Sequence, residues 1–499
     1  MSVDYIVVQA GGKGSRMGSL TRNKPKALVP VNNKPMIFHL FDLFPDKKFI
    51  VIGDYKSVVL EKYLNAFARV DFKTVCSSGS TGTCSGVGEA LSYVPEGKSF
   101  MLIWSDLILS EGFEMPQDGN FIGLSEDFVC RWSYNDGILE EERREKNGVA
   151  GLFVFKDKAC LSDVPQSGEF VRWLSSEEIS FEPIYLNGTK EYGTIENYPE
   201  ETIGRCRPFN KLEKSGNIVR KIPLTELGET LAVREAAWYK KAIEMGVQNI
   251  PEIYGYTPLS MKHIKGKNIF DCSQLNFKEK YDLLVKIING LKQLHNLKMV
   301  ESSYESYYDN YIGKTFERLE KVRNLIPFAD CETVTVNGRV CRNVYFHKEE
   351  LEHAVMQYFP EKFYFIHGDC TFSNILVDEC GNPVFIDPRG YFGKTEYYGD
   401  KAYDWAKLYY SIFSNYDQFN IKNFELYIND SEVILNIGSN NWEHLEDVFF
   451  SIIGDDIEKK NIKLLLAIIW LSLTTYAWED YDSVCGAFYN GLYYLEEVL

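Results

Sequence analysis

Three features that this sequence lacks each exclude a class of protein. Its eleven cysteines form no Cys-x-x-Cys pair and show no metal-ligand spacing, so we expect reduced thiols. Its longest apolar run, residues 462–478, is shorter than the ~20 residues of a membrane span, which predicts a buried helix and no membrane insertion. Basic residues are in the minority, with 54 Lys and Arg against 71 Asp and Glu and a net charge of −17. This balance argues against a general binder of nucleic acid or membrane surfaces.

The sequence also has no fixed-period repeat, and its first residues enter a strand without the basic segment and cleavage site of a secretion signal. Together with reduced thiols, this predicts a cytoplasmic protein. The 499 residues are too many for one compact core, so two domains are the first expectation.

The first 200 residues alternate apolar strand runs with stretches of helical spacing. "YIVVQA", "FIVIGD" and "FMLIWSD" have the character of strands, and "SVVLEKYLNAFA" has the spacing of a helix. This alternation predicts an α/β domain with a mostly parallel sheet covered by helices. Ligands bind at the carboxyl ends of the strands in such sheets, where Gly11, Gly53 and Asp106 are expected to lie.

A glycine-rich loop directly follows the first strand. Glycines let backbone N–H groups approach and cradle phosphates. Arg16 can donate two hydrogen bonds to phosphate oxygens, and Lys26 adds a point charge. The candidate phosphate-binding residues of the loop are Gly11, Gly12, Gly14 and Ser15.

The order G-x-G-x-R-M, Thr21 and P-K-x-L resembles the nucleotidyltransferases that make nucleotide-activated sugars and alcohols, including sugar-1-phosphate nucleotidyltransferases and phosphocholine cytidylyltransferases. The resemblance covers about residues 2–198. It implies a Rossmann-like α/β nucleotidyltransferase domain in residues 1–200, in which the loop and Arg16 hold a triphosphate. Lys26 would steady the reacting phosphates.

Three further segments carry the same resemblance. "STGTCSGVGEAL" resembles the segment that lines the base and ribose, here Gly82 and Thr83. Asp106 in "LIWSDLIL" stands where the family has a magnesium ligand. Glu191 in "KEYGTIENY" stands where a second ligand, usually Asp, is found. By analogy, CTP or UTP is favoured over a purine nucleotide.

Beyond about residue 200 the pattern changes. "RPFNKLEKSGNIVRKI" predicts an antiparallel hairpin around a Ser-Gly turn, and a long helix follows in "ETLAVREAAWYKKAIEMG". From Phe277 the pattern is mainly helical. A hairpin in "TVTVNGRVC" interrupts it, with Asn337-Gly338 favouring a type I′ turn.

The segment "FIHGDCTFSNILVDECGNPVFIDPRG" places a second set of polar residues between apolar runs. Asp369 precedes Asn374 by five residues, and an apolar strand leads to Asp387. A carboxylate that accepts a hydroxyl proton, with an Asn and a second Asp on magnesium, is the set that phosphoryl transfer requires.

This half, residues 205–499, resembles the aminoglycoside phosphotransferase and choline kinase group of small-molecule kinases. The resemblance implies an α+β, two-lobed, protein-kinase-like domain, with a small lobe at about 205–266 and a helical lobe at about 267–499. Asp369 would be the catalytic base, and Asn374 and Asp387 the magnesium ligands. Lys221 would hold the ATP phosphates, with Glu235 as its helix partner ahead of Glu229 as second choice.

Two departures from the kinase group concern the ligands. The glycine-rich nucleotide loop is reduced to "EKSGNIV". Arg389 follows the metal-binding Asp, where choline kinases often have an acidic or aromatic residue. It either contacts an anionic or polyhydroxy substrate or makes an internal ion pair.

A kinase makes a phosphomonoester and a nucleotidyltransferase consumes one, so the two halves predict a bifunctional enzyme. The kinase would act first, with ATP on a small hydroxyl compound, and a sugar or polyol is favoured. The second step would couple the phosphate to an NTP for decoration of surface polysaccharide or lipid. The alternatives are a choline or ethanolamine kinase with a cytidylyltransferase, or a nucleotidyltransferase with a regulatory, inactive kinase-like domain. The sequence leaves the oligomeric state open.

Overall fold

The computed structural model describes residues 3–76, 82–198 and 210–499. The chain divides into two compact units. The first comprises Met1–Thr202 with Trp478–Asp482, and the second comprises Ile203–Ala477 with Ser483–Leu499. The boundaries expected at residues 200 and 205 lie outside the described residues, as do the first three residues of the expected hairpin.

The described part of the first unit contains strands β1 to β13 and helices α1 to α4. In chain order the strands are Tyr5–Gln9, Pro30–Val31, Lys34–Pro35, Lys48–Gly53, Asp71–Cys76, Phe100–Trp104, Leu107–Ile108, Phe121–Ser125, Ser133–Asn135, Ile138–Glu140, Gly148–Phe155, Glu182–Tyr185 and Lys190–Glu191. The helices are Met36–Leu43, Ser57–Phe67, Cys84–Leu91 and Phe170–Leu174.

The central sheet has the order β10-β9-β11-β6-β1-β4-β5, and β8 pairs with β11 and β12. The sheet is mixed, with four parallel and four antiparallel strand pairings among the described residues, so the expectation of a mostly parallel sheet is confirmed only in part. β1, β4, β5 and β6 pair in parallel, but β11 is antiparallel to β6, β8 and β9. The connection between β6 and β11 explains the antiparallel direction of β11. A crossover between parallel strands usually contains a helix, and no α-helix lies between β6 and β11.

The core of this unit forms between the sheet and the helices that follow its parallel strands. All eight residues of β11 are buried, as expected of a central strand covered on both faces. α3 adds Val87, Ala90 and Leu91 to the core, and α4 adds Phe170 and Leu174. Burial of these apolar side chains holds the sheet rigid beneath the loops at its edge.

The segment Trp478–Asp482 also belongs to this unit. The Trp478 ring lies 5.4 Å from that of Phe38 on α1. The buried Lys24 places its Nζ 2.8 Å from Oδ1 of Asp480, in an ion pair whose partners are both nearly inaccessible to solvent. Lys24 lies two residues before the predicted Lys26 and was not singled out from the sequence.

The second unit contains strands β14 to β29 and helices α5 to α14 in its described part. In chain order the strands are Asn210–Ser215, Ile218–Pro223, Ile253–Tyr256, Leu259–Lys262, Gly266–Asn268, Met299–Glu301, Thr333–Val336, Arg339–Arg342, Lys362–Phe365, Ile375–Asp378, Pro383–Phe385, Tyr391–Phe392, Thr395–Glu396, Tyr398–Gly399, Phe424–Ile428 and Val433–Ile437. The helices are Glu226–Glu244, Phe277–His295, Tyr304–Tyr308, Lys314–Val322, Lys348–Met356, Lys401–Ile412, Tyr416–Asn420, Glu446–Ile453, Lys459–Leu473 and Tyr481–Leu495.

A four-stranded antiparallel sheet, β14-β15-β17-β16, begins the second unit and carries α5. Helices dominate from α6 onward. α6 starts with a capping box, in which the Asn276 side chain accepts from the Glu279 backbone and the Glu279 side chain accepts from the Asn276 backbone. The hairpin β20–β21 turns through Asn337 and Gly338 at φ +48° and +75°, as a type I′ turn requires.

Two sequence expectations about composition can be compared with the structure. The apolar run at 462–478 lies largely in α13, whose residues from Leu464 to Ser472 are all buried. No helix in the described residues is long and apolar enough to cross a membrane. The ten cysteines within the described ranges form no disulfide bond.

Candidate active sites

In the first unit, the sequence order of the parallel strands reverses beside β1. β4 and β5 follow one another on one side of β1, and β6 pairs on its other side, with Gln9 opposite Trp104. A crevice at such a switch point is where open α/β sheets bind ligands. The glycine-rich loop leaves β1 at this edge, and Asp106 follows β6 by two residues.

Two glycines of the loop are required by its geometry. A Cβ at Gly11 would lie 2.7 Å from Cβ of Asp54, closer than packing allows. Gly14 has φ +63°, and a Cβ there would lie 2.9 Å from Cγ2 of Thr21. The Thr21 hydroxyl donates to the Gly14 carbonyl over 3.1 Å. Gly12, in contrast, has open space around its Cα, which leaves its backbone accessible to a ligand.

An open cavity of about 310 Å³ adjoins this loop. It is lined by Lys13, Ser15, Gly18, Ser19, Thr21, Arg22 and Tyr55. Ser15 was expected here from the sequence, whereas Lys13, Arg22 and Tyr55 were not. Lys13 Nζ lies 5.7 Å from the centre of the Tyr55 ring. Arg16 is exposed on the same loop but does not line the cavity.

Lys26 and Asp106 form an ion pair, although they are 80 residues apart in the chain. Their side chains are 11% and 15% exposed, so both reach a partly solvated site. Oδ1 of Asp106 is buried and has no hydrogen-bond partner among the described residues. A buried carboxylate oxygen without a partner is costly unless a cation or donor joins it.

Glu191 lies beside Asp106 through backbone pairing. β13 pairs with β7, which places Glu191 opposite Leu107, and the Tyr192 N–H donates to the Asp106 carbonyl over 3.0 Å. Oε2 of Glu191 accepts a hydrogen bond of 3.1 Å from Asn197.

Asp106 and Glu191 would hold magnesium together with oxygen ligands from the substrate. Within the described ranges no three His, Cys, Asp or Glu residues form a group that could hold a metal ion. Magnesium is commonly held by one or two carboxylates together with phosphate oxygens of the substrate. The unpartnered oxygen of Asp106 suits that arrangement, and Glu191 lies on the strand that pairs with β7.

Gly82 and Thr83 follow β5, which is separated from β1 by β4. Thr83 Oγ1 accepts a hydrogen bond of 2.8 Å from the Phe170 backbone. Gly82 has φ +102°, and a Cβ there would lie 2.2 Å from the Gly168 carbonyl oxygen. The two residues therefore hold the segment that leads into α4, at the same edge of the sheet as the glycine-rich loop.

The second unit brings three distant charged residues together. Lys221 Nζ on β15 lies 2.8 Å from Oε2 of Glu235 on α5 and 2.9 Å from Oδ1 of Asp387. Burial opposes the charge of Lys221, but Asp387 and Glu235 raise its pKa above the usual value. Asp387 has φ +54°, a conformation that non-glycine residues rarely adopt and that concentrates at functional sites.

Asp369 and Asn374 are joined within one loop. Asn374 Nδ2 donates to the Asp369 carbonyl over 2.8 Å and to its carboxylate Oδ2 over 3.0 Å. Lys407, which sequence reasoning missed, places its Nζ 2.9 Å from Oδ1 of Asp369. The available signal was its place on α10, three residues and therefore about one turn after Asp404.

Asp404 holds the backbone of this loop through hydrogen bonds. Its carboxylate is fully buried and accepts from His295 Nε2 and the His367 backbone over 2.9 Å each, and from the Gly368 backbone over 2.7 Å. Burial by itself would raise its pKa, but the hydrogen bond and charge of His295 hold the pKa below the usual value. Trp238 on α5 donates to the Ile366 carbonyl over 2.9 Å, which ties α5 to the same loop.

Arg389 makes no ion pair with a carboxylate in the described part of the chain. Its guanidinium donates to the Tyr403 hydroxyl over 2.8 Å and lies 4.4 Å from the centre of the Tyr391 ring. The internal ion pair considered from the sequence is therefore absent among the described residues.

Comparison with known proteins concerns the first unit. The family model of the MobA-like NTP transferase domain matches residues 6–112. The chain is 31% identical over 108 residues to the UTP–glucose-1-phosphate uridylyltransferase AglF of Haloferax volcanii, covering 21% of this chain and 44% of that protein. It is 27% identical over 92 residues to the D-glycero-alpha-D-manno-heptose 1-phosphate guanylyltransferase of Campylobacter jejuni, covering 18% and 42%.

The chain thus spans less than half the length of these relatives. Among solved structures, the inositol-1-phosphate CTP transferase from T. maritima matches with a TM-score of 0.35 and 15% identity, covering 40% of this chain and 94% of that one. Residues 6–112 of the first unit therefore match a MobA-like NTP transferase domain.

Proposed function

We propose that the protein is a bifunctional enzyme that phosphorylates a small hydroxyl compound and then couples the phosphate to an NTP. The observation that carries the first step is the set of contacts joining Lys221, Glu235 and Asp387 across more than 160 residues of chain. In kinase sites, a lysine that holds nucleotide phosphates contacts a helix glutamate, and an aspartate nearby binds the metal, which supports this proposal. The NTP transferase domain supports the second step.

In the proposed first step, an alcohol oxygen attacks the γ-phosphorus of ATP, its proton passes to Asp369, and ADP leaves. Lys221 positions the phosphates, and the hydrogen bonds from Asn374 and the ion pair with Lys407 orient the Asp369 carboxylate. Asn374 and Asp387 would hold magnesium, which neutralises charge on the transferring phosphate when bound.

In the proposed second step, an oxygen of the new phosphomonoester attacks the α-phosphorus of an NTP and pyrophosphate leaves. The glycine-rich loop and Arg16 would hold the triphosphate, and Lys26 would neutralise charge that develops on the reacting phosphates. Gly82 and Thr83 would border the base and ribose. Asp106 and Glu191 would hold magnesium together with phosphate oxygens.

A sugar phosphate is the favoured intermediate, since the relatives named above act, by their names, on glucose 1-phosphate and on a heptose 1-phosphate. CTP and UTP are the favoured nucleotides. The product would be an activated donor for decoration of a polysaccharide or lipid.

The test measures ADP and pyrophosphate released by the wild-type protein with ATP, each candidate alcohol and each of CTP, UTP, GTP and dTTP. Asp369→Asn should abolish ADP release and leave pyrophosphate release intact when the phosphorylated alcohol is supplied. Asp106→Asn should abolish pyrophosphate release and leave ADP release intact. Asp430→Asn, at an exposed position, is the matched control and should change neither.

Other outcomes support the alternatives. ADP and pyrophosphate release with choline or ethanolamine and CTP alone would establish the amino-alcohol version. Pyrophosphate release from a supplied sugar phosphate, with no ADP release from any alcohol and no effect of Asp387→Ala, would make the second unit a regulatory domain.

A further inference from the structure

Five basic side chains of the second unit lie near one another, and one of them, Lys407, contacts Asp369; together they form what is called here the cationic cluster. They come from α5, α8, the segment after Asp387, and α10. The members are Arg234, Lys314, Arg318, Arg389 and Lys407.

Two members of the cluster share one aromatic ring. The guanidinium carbons of Arg389 and Arg234 lie 4.4 Å and 4.5 Å from the centre of the Tyr391 ring. Arg389 also donates to the Tyr403 hydroxyl over 2.8 Å. Aromatic faces and hydroxyls hold these cations in place without neutralising them.

The cluster borders the predicted catalytic base. Lys407 contacts Asp369 over 2.9 Å and lies 5.7 Å from the centre of the Tyr403 ring, to which Arg389 is bound. A Cβ at Gly368 would lie 2.9 Å from Cβ of Arg389, so the residue before Asp369 packs against that arginine. A ligand that presents a hydroxyl to Asp369 would therefore meet Arg389.

The α8 members have neutral partners. Arg318 donates to the Ser472 carbonyl and hydroxyl over 2.7 Å each, and its guanidinium lies 4.3 Å from the centre of the Tyr476 ring. Lys314, one turn earlier, donates to Asn310 over 2.8 Å.

The cluster carries little compensating negative charge. Over the described residues, no carboxylate lies within 4.0 Å of a charged nitrogen of Arg234, Lys314, Arg318 or Arg389. Apart from the Asp369 carboxylate on Lys407, the acid that acts on these cations is Asp309, whose charge partly favours the Lys314 ammonium.

The electrostatic consequences reach neighbouring groups. Burial and then the charges of Arg389, Arg318 and Lys407 lower the pKa of Lys314 well below its usual value. Burial opposes ionisation of Tyr391, but Arg389 and the other arginines lower the pKa of its hydroxyl. Both pKa values are lowered, as expected where neighbouring cations are not neutralised by an anion.

We propose that the acceptor alcohol of the second unit carries an anionic oxyacid group, a carboxylate or a phosphate ester, that binds Arg389 and Arg318. Four members, Lys314, Arg318, Arg389 and Lys407, are half-buried, so a ligand can reach them while water is partly excluded. A guanidinium matches the two oxygens of a carboxylate or phosphate. This inference rests on the proposed kinase step and opposes a choline-like acceptor, which a cationic site would repel.

The proposed reaction is a phosphoryl transfer from ATP to the hydroxyl group of the acceptor. The acceptor's hydroxyl oxygen forms a bond to the γ-phosphorus of ATP, the bond from that phosphorus to the bridging oxygen of ADP breaks, and the hydroxyl proton goes to Asp369. The anionic group of the acceptor takes no part in bond making, and Arg389 and Arg318 act on its position and affinity.

The first experiment compares charge-matched acceptors by ADP release from the wild-type protein with ATP and magnesium. The pairs are D-glycerate with glycerol and D-gluconate with sorbitol, and glycerol 3-phosphate and choline are tested in parallel. We expect kcat/KM to be about 10- to 100-fold higher for the anionic member of a pair, the range for charge-assisted hydrogen bonds. Comparison of D-glycerate with glycerol 3-phosphate separates a carboxylate from a phosphate ester. Turnover of choline or of the neutral alcohols in preference would overturn the inference while leaving the kinase step standing.

The second experiment locates the effect. Arg318→Met should raise the acceptor KM at least about 10-fold without changing the KM for ATP, and Arg318→Lys should restore part of it. Arg323→Met, just after the end of α8 in a partly exposed ion pair with Asp330, is the matched control. A rise in the ATP KM alone would show that the cluster binds nucleotide phosphates and would overturn the inference.

If none of these alcohols is phosphorylated, that result counts against the proposed kinase step. A direct binding measurement then tests the anionic site separately. Inorganic phosphate is titrated calorimetrically into the wild-type protein saturated with ADP and magnesium. We expect binding that weakens at least about 10-fold in Arg318→Met and is unchanged in Arg323→Met. Equal phosphate binding by all three proteins would overturn the inference.

Discussion

Replacing Asp404 with Asn should destabilise the second unit although the two side chains have nearly the same shape. The Asp404 carboxylate accepts three hydrogen bonds, from His295 and the His367 backbone at Oδ2 and from the Gly368 backbone at Oδ1. An amide has one acceptor oxygen and one donor nitrogen. If its oxygen faces His295, its NH₂ group faces the Gly368 N–H, and two donors then oppose each other in a site without solvent.

The magnitude follows from these contacts. Losing one hydrogen bond to a charged acceptor costs about 2 kcal/mol, and leaving buried donors without a partner costs about 2 kcal/mol more. We therefore expect Asp404→Asn to lower the free energy of unfolding by about 4 kcal/mol, within the range for breaking a buried charged pair. The variant should also lose most ADP release, because the backbone before Asp369 loses its support.

Equilibrium urea denaturation followed by tryptophan fluorescence measures this change. Trp405 and Trp238 lie 5.1 Å and 5.8 Å, ring centre to ring centre, from His295 and His367, so their emission reports on this region. Asp430→Asn is the surface control. A loss of less than about 1 kcal/mol would refute the reasoning, because the amide would then satisfy the donors as well as the carboxylate does.

Three further predictions concern other parts of the molecule. Asp106→Asn should lower pyrophosphate release at least about 100-fold in a steady-state assay, because the carboxylate beside Lys26 is lost. Burial raises the pKa of Asp400 from 3.8 to about 6, so the folded state binds this proton more tightly and the wild type loses stability as pH rises between those values. The difference in unfolding free energy, Asp400→Asn minus wild type, should therefore rise by about 3 kcal/mol from about pH 4 to pH 7. Urea titrations at several pH values measure it, and a difference that does not change with pH would contradict the prediction. Gly151→Ala should lower the unfolding free energy by about 2 kcal/mol or more, since Gly151 has φ +94° and the added Cβ would lie 2.1 Å from the Trp104 ring, and a melting temperature equal to wild type would count against it.

Local patterns predicted much of the secondary structure. The strand runs "YIVVQA", "FIVIGD" and "FMLIWSD" correspond to β1, β4 and β6, and "SVVLEKYLNAFA" corresponds to α2. The sense of β11 could not be predicted in this way. Its direction depends on which neighbour it pairs with, and hydrophobic periodicity is the same for a parallel and an antiparallel strand.

Some residues of the candidate site in the second unit could be proposed from the sequence, and one could not. The resemblance to the kinase group proposes Lys221, Glu235, Asp369, Asn374 and Asp387, and the structure brings them into two contacting groups. Their roles remain predictions. Lys407 was missed because its role depends on a contact with Asp369, and its spacing from Asp404 alone does not show that contact.

The sequence by itself determined the features that depend on neighbours along the chain. These are the capping box of α6 and the type I′ turn at Asn337-Gly338, since each is set by residues within a few positions of one another. The tertiary structure alone decided the pairing of Lys26 with Asp106, the antiparallel course of β11 and the contact of Lys407 with Asp369. These depend on residues tens to hundreds of positions apart, whose approach is fixed by burial and strand pairing of the whole unit.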